Sequence, residues 1–200
     1  MNFMSAISDH RFAHLLLFLC CAVLLPLALS NDLRAQTQDS SGSPRVWEAP
    51  LSIPTYELGA PNSYPALLDW QRRKWRPVYP YPFLDALTNK RTEKTYKAVY
   101  LENEYLRVSV LPELGGHIYE IFDKTTNRDV LYSNPVIKYA MVAIRGAWVS
   151  GGIEWNFPDG HTLTTVSPID YAMRTESDGS AAVAVGDTER VQGMQWQVVI

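Results

Sequence analysis

Between Arg145 and His161 the chain reads RGAWVSGGIEWNFPDGH, and no other stretch gathers so many groups able to do chemistry. Arg145, Glu154, Asn156 and His161 supply hydrogen-bonding and titratable groups, while Trp148, Trp155 and Phe157 supply flat apolar faces. The glycines and Pro158 among them set tight backbone shapes. A plain hairpin has no use for that polar variety. A pocket for a polyhydroxylated ligand needs both kinds of group, because a sugar has hydroxyl edges and an apolar C–H face. His161 follows the turn sequence Pro158-Asp159-Gly160 and carries an imidazole able to give or take a proton, so proton transfer and a structural role stand side by side for it. Glu154 is either a solvent-facing strand residue or, half-buried beside Arg145, a binder of hydroxyls or a base. His117, just after Gly115-Gly116, reads as a hydrogen-bonded histidine at the start of a strand.

Other chemistries lack their residues. The chain has no phosphate-binding glycine loop, no GxSxG elbow and no HExxH. Both cysteines, Cys20 and Cys21, lie in an apolar leader, so past it there is no disulfide, thiolate zinc site or cysteine nucleophile. With His117 and His161 as the histidines outside the leader, the spacing supports no metal site, and no cofactor is expected. The net charge of −3 argues against nucleic acid as a partner, since phosphate recognition needs a clustered positive surface.

The elements that must position these residues read as β. Thr95–Leu101 and Tyr105–Leu111 are rich in Tyr, Val and Leu around a polar turn at Glu102-Asn103-Glu104. In the second run Leu106, Val108 and Val110 alternate with Tyr105, Arg107 and Ser109, the period of a strand with one buried face. Further strands are expected at His117–Asp123, Val130–Tyr132, Ile169–Glu176, Ala181–Thr188 and Met194–Ile200. Such spacing of short strands indicates an antiparallel sandwich or barrel. Before them, residues 46–92 are rich in proline and aromatics and read as an N-terminal wrap, with one short helix near 66–73.

Residues 1–30 read as a signal peptide, with a weakly basic opening, an apolar run from Leu15 to Leu29 and small residues at Ala28 and Ser30. An uncleaved anchor is the alternative. Residues 31–45 read as a flexible polar linker, and residues 93–200 as the sandwich. An exported, disulfide-free chain suits a periplasm or outer surface, with no membrane contact after cleavage. The apolar strand at Met194–Ile200 stops without a turn, which suggests that the sequence is part of a longer chain.

Two blocks, VLPELGG and GGIEWNFPDGH, within residues 53–200 resemble an uncharacterised bacterial family of the galactose mutarotase-like superfamily. The resemblance implies an all-β, antiparallel β-supersandwich with a sugar site on a concave face, of which this chain would be the N-terminal part. It implies a carbohydrate ligand, and tetratricopeptide helices further along the full-length protein. Aldose epimerases of that superfamily open and reclose a pyranose ring with a glutamate base and a histidine acid. Their base usually comes from the C-terminal half, which this sequence does not contain, so from their own sequence setting His161 and Glu154 are the catalytic candidates, and Arg145, Trp148, Trp155 and Asn156 the sugar-binding ones. At His117 such relatives commonly carry arginine. The same sandwich also serves lyases, hydrolases and non-catalytic binding modules, so the reaction stays open.

Overall fold

The computed structural model describes residues 42–62, 68, 69, 74, 75, 78–158, 160, 161 and 163–200. The leader and most of the polar linker lie outside the described residues. So does much of the expected helix over 66–73, and within that span Leu68–Asp69 (β2) pairs antiparallel with Lys74–Trp75 (β3) instead.

The central element is a five-stranded antiparallel sheet in the order β1-β4-β5-β6-β7. Its strands are β1 (Arg45–Leu58), β4 (Leu87–Glu102), β5 (Leu106–Leu111), β6 (His117–Asp123) and β7 (Arg128–Asp129). A three-stranded antiparallel sheet follows, built from β10 (Asp170–Thr175), β11 (Ala181–Thr188) and β12 (Gln195–Val199). Between them in sequence, β8 (Tyr139–Ala143) and β9 (Gly146–Val149) form a hairpin. No α-helix occurs among the described residues, and the architecture is an antiparallel β-sandwich.

Each face of the five-stranded sheet carries a buried core over part of its area, and the strand alternation divides them. Ala98 and Leu111 face one core, with Ile53, Tyr96, Leu114, Ile137 and Val149. Their neighbours Val99 and Val110 face a second core, which the three-stranded sheet closes with Val183, Val185 and Trp196. The expectation of a single buried face on β5 is therefore corrected. Ser109 is as buried as Val110, while Leu106 is exposed, because the far face is covered by other chain segments rather than by water.

The N-terminal wrap is also corrected. Pro50 and Pro54 lie within β1, which pairs with β4 from Arg45↔Glu102 to Leu58↔Leu87. The prolines are tolerated because β1 is an edge strand in this sheet. Tyr56, of the same parity, sends its N–H away from β4 to the Ile137 carbonyl at 2.9 Å, so Pro50 and Pro54 lack only outward donors. The boundary expected at residue 92/93 consequently falls inside β4. Beyond β6, the strand expected at Val130–Tyr132 does not form; the short β7 precedes it at Arg128–Asp129, and Val130 and Tyr132 are exposed. The strands at His117–Asp123 and Ala181–Thr188 have the expected bounds.

Candidate functional site

The site is set by one contact between β6 and the segment after β9. Ile118 and Ile153 exchange both backbone hydrogen bonds, 3.1 and 2.9 Å, as an isolated antiparallel pair. Gly152 makes the approach possible. Its φ is +65°, and a Cβ there would lie 2.0 Å from the Ile118 carbonyl oxygen, so no side chain fits.

From Ile153 onward the chain is extended and its side chains alternate. Ile153, Trp155 and Phe157 pack into the second core, while Glu154 and Asn156 turn to the other side, where His161 meets both of them. That alternation separates the sequence candidates. The Trp155 indole N–H donates to the Gly116 carbonyl at 2.7 Å and its ring packs among core residues. It is thus a wedge between the segment and β6.

Glu154 is the hub. Its Oε2 accepts from the Trp148 indole N–H at 2.8 Å and pairs with His161 Nδ1 at 3.0 Å, while its Oε1 accepts from the Thr165 hydroxyl at 2.7 Å. Burial alone would raise this carboxyl. The hydrogen bonds from Thr165, Trp148 and His161, with the His161 charge, outweigh burial and hold it below the usual glutamate range. The Glu154 side chain is 12% exposed and that of His161 39%, so the carboxylate is the inner partner and the imidazole the outer one. The Trp148 and His161 rings meet edge to face at 5.2 Å between centroids.

His161 has a left-handed backbone, φ +48°, which side chains rarely adopt. Its own N–H is fixed by Asn156 Oδ1 at 2.8 Å, just beyond the cis Phe157–Pro158 bond. Asn156 therefore shapes the loop that presents the imidazole. With Nδ1–H donating to the carboxylate, the tautomer leaves the lone pair on Nε2, the arrangement by which a carboxylate orients a histidine for proton transfer.

Arg145 is not beside Glu154. It is 5% exposed, and its guanidinium donates to the Pro82 carbonyl (3.1 Å), the Leu163 carbonyl (2.7 Å) and the Ser167 hydroxyl (2.7 Å), lying 4.8 Å from the Tyr81 ring centroid. Burial pulls its pKa down to about 10, still a cation at neutral pH. Its hydrogen bonds go to the protein's own chain rather than to a ligand's hydroxyls. It clamps residues 163–167, the loop that carries Thr165 to Glu154.

Thr165 was missed by sequence reasoning, whereas His117, read as a hydrogen-bonded histidine at the start of a strand, heads β6 in that way. The pairing of Ile118 with Ile153 sets the preceding residue, His117, across from Glu154 on the same face. His117 is 5% exposed, and its Nδ1 bonds the Leu114 carbonyl. Burial pulls its imidazole below the ordinary histidine range, against the opposing influence of that carbonyl and of the Glu154 charge. The available signal was the twin Gly-Gly pairs, Gly115-Gly116 before His117 and Gly151-Gly152 before Ile153-Glu154, which mark two segments that approach closely. Among the described residues no cluster of His, Cys, Asp and Glu has the makings of a metal site.

Residues 73–200, with every residue of the Glu154 cluster among them, match the family described as "Domain of unknown function (DUF5107)". The chain belongs to this family. The DUF5107 fold also aligns with the crystal structure of a TPR-domain containing protein from Parabacteroides distasonis ATCC 8503, at 31% identity and a TM-score of 0.69. The alignment covers 80% of this chain and 26% of that protein, so the chain spans about a quarter of the length of this relative.

Proposed function

We propose that the Glu154–His161 pair, with Trp148 and Asn156, is a carbohydrate site in a galactose mutarotase-like sandwich exported from the cytoplasm. The observation that carries this reading is the half-buried Glu154 carboxylate, held by three side-chain donors with a partly exposed imidazole on its outer side. A carboxylate so held orients His161 as a hydrogen-bonding and proton-transferring group for a hydroxyl or a ring oxygen. Trp148, edge-on to His161, supplies the apolar surface that a sugar's C–H face requires. In an enzyme acting on sugars, His161 moves the proton and Glu154 stabilises the imidazolium that forms. Arg145 and Trp155 support the site from behind without touching the ligand.

The test is titration of the full chain with a panel of mono- and oligosaccharides by calorimetry, alongside His161→Ala and Glu154→Gln. The reading expects binding that both substitutions weaken at least tenfold. Binding that survives both would remove the site from consideration. For the catalytic part, NMR exchange between anomers should be faster with the protein present and lose that acceleration in His161→Ala.

A second reading is favoured by the relative, a TPR-domain containing protein. Here the domain is a non-catalytic carbohydrate-binding or scaffold module joined to helical repeats. It predicts sugar binding without accelerated anomer exchange.

A further inference from the structure

Two buried polar atoms, His117 Nε2 and Thr164 Oγ1, have no hydrogen-bond partner among the described residues. Both belong to residues at most 5% exposed. Their chemistry is complementary. The Leu114 carbonyl can only accept, so the proton of His117 sits on Nδ1 and Nε2 carries a lone pair. Thr164 Oγ1 has a proton to give. Leaving either unsatisfied is destabilising.

The backbone brings the two residues into one layer around Glu154. His117 is the cross-strand neighbour of Glu154, next to the hydrogen-bonded Ile118–Ile153 pair, and side chains at such positions have Cβ atoms roughly 4.5–5.5 Å apart. Thr164 immediately precedes Thr165, whose hydroxyl holds Glu154 Oε1. The Thr164–Thr165 main chain rests on the turn before His117, since a Cβ on Gly115 would lie 2.7 Å from both their carbonyl oxygens.

We propose that His117 Nε2 and Thr164 Oγ1 form a hydroxyl-sized subsite beside Glu154, which takes an O–H group that donates to the imidazole and accepts from the threonine. The O–H comes from a ligand's hydroxyl or from an ordered water, and the chemistry is the same for both. The subsite deepens the carbohydrate reading when the occupant is a sugar hydroxyl, and rests on that reading only in that case. His117 is then a specificity-determining residue, fixed in one tautomer and rejecting any ligand without a donor at that point.

The experiment is ring-nitrogen NMR on the full chain labelled with 15N-histidine and 15N-tryptophan, without sugar and with D-glucose, D-galactose or N-acetylglucosamine. The expected result is a protonated Nδ1 and an Nε2 resonance displaced from a bare lone pair toward that of a hydrogen-bond acceptor, a displacement that Thr164→Val reduces. A displacement unchanged by sugar assigns the O–H to water. One that appears or grows with sugar assigns it to the ligand, and His117→Phe should then weaken binding about tenfold, the size of one neutral hydrogen bond. An Nε2 that is bare under all conditions, or that carries the proton, overturns the subsite. The Trp148 indole N–H reads sugar binding separately. If it responds while Nε2 stays bare, the subsite falls and the carbohydrate reading stands; the reverse pattern sinks the carbohydrate reading alone.

Discussion

His161 concentrates the functional argument at the scale of single residues. A left-handed, non-glycine residue costs roughly 1–2 kcal/mol in backbone energy, and such outliers point to a role for the side chain they carry. Here the side chain reaches Glu154 while the main chain is pinned by Asn156. Replacing His161 by glycine or by alanine removes the same imidazole, but only glycine relieves the backbone at φ +48°. His161→Gly should therefore be more stable than His161→Ala by about 1 kcal/mol in denaturant unfolding, with both equally defective in ligand binding. Arg145 is the contrasting case. Arg145→Lys keeps the charge but loses the fork that spans Pro82, Leu163 and Ser167. A loss of about 3 kcal/mol in stability is expected from the forfeited charge-assisted hydrogen bonds. If Arg145→Lys instead abolished binding at unchanged stability, Arg145 would belong among the ligand contacts after all.

At the scale of elements, the Ile118–Ile153 bridge is what turns a loop into a site. The close approach at Gly152 sets Glu154 on one side of the segment and Trp155 on the other. Gly152→Ala forces a Cβ against the Ile118 carbonyl at a positive φ, and should lower stability by several kcal/mol, by strain at a special φ/ψ and loss of the bridge. Thermal unfolding checks the first part, and loss of the Trp148 indole shift, free against Glu154-bound, checks the second. The elements also show what was legible in the sequence. β6 was readable because Gly115-Gly116 and Lys124-Thr125-Thr126-Asn127 bracket an apolar-alternating run, and β11 because a Ser-Asp-Gly turn precedes it. β1 was not, because Pro50 and Pro54 argue against a strand unless one knows that it lies at an edge. The site segment was recognised by composition, but the packing of its members was not. Period-two alternation through Ile153-Glu154-Trp155-Asn156-Phe157 already places Trp155 with the apolar set, whereas the partners of Glu154, Thr165 and His117, come from other segments that no local pattern connects to it.

For the whole molecule, His117 and Glu154 contribute to the response to acid, together with the lowered carboxyls of Glu102, Asp123 and Asp178. His117 is pulled below the ordinary histidine value of 6.5, so between its folded value and 6.5 the unfolded chain binds the extra proton. Its contribution is complete above about pH 6.5 and declines as the pH falls below that. Glu154 is held below the ordinary 4.5, so its contribution is complete above about 4.5 and lost as pH falls through its folded value. The melting temperature should therefore be level near neutrality and fall in two stages on acidification. His117→Asn, which keeps a donor for the Leu114 carbonyl, should remove the first stage and leave the second. A wild-type profile level down to pH 5 would contradict this account of His117.

The Glu154–His161–Trp148 cluster is proposed to receive a carbohydrate. The most direct test is the Trp148 indole N–H resonance of the full chain, titrated with a sugar panel in wild type and in Glu154→Gln. The account predicts a saturable, sugar-specific shift in wild type that Glu154→Gln weakens at least tenfold. A resonance that no sugar moves, or a shift of equal affinity in Glu154→Gln, would contradict it.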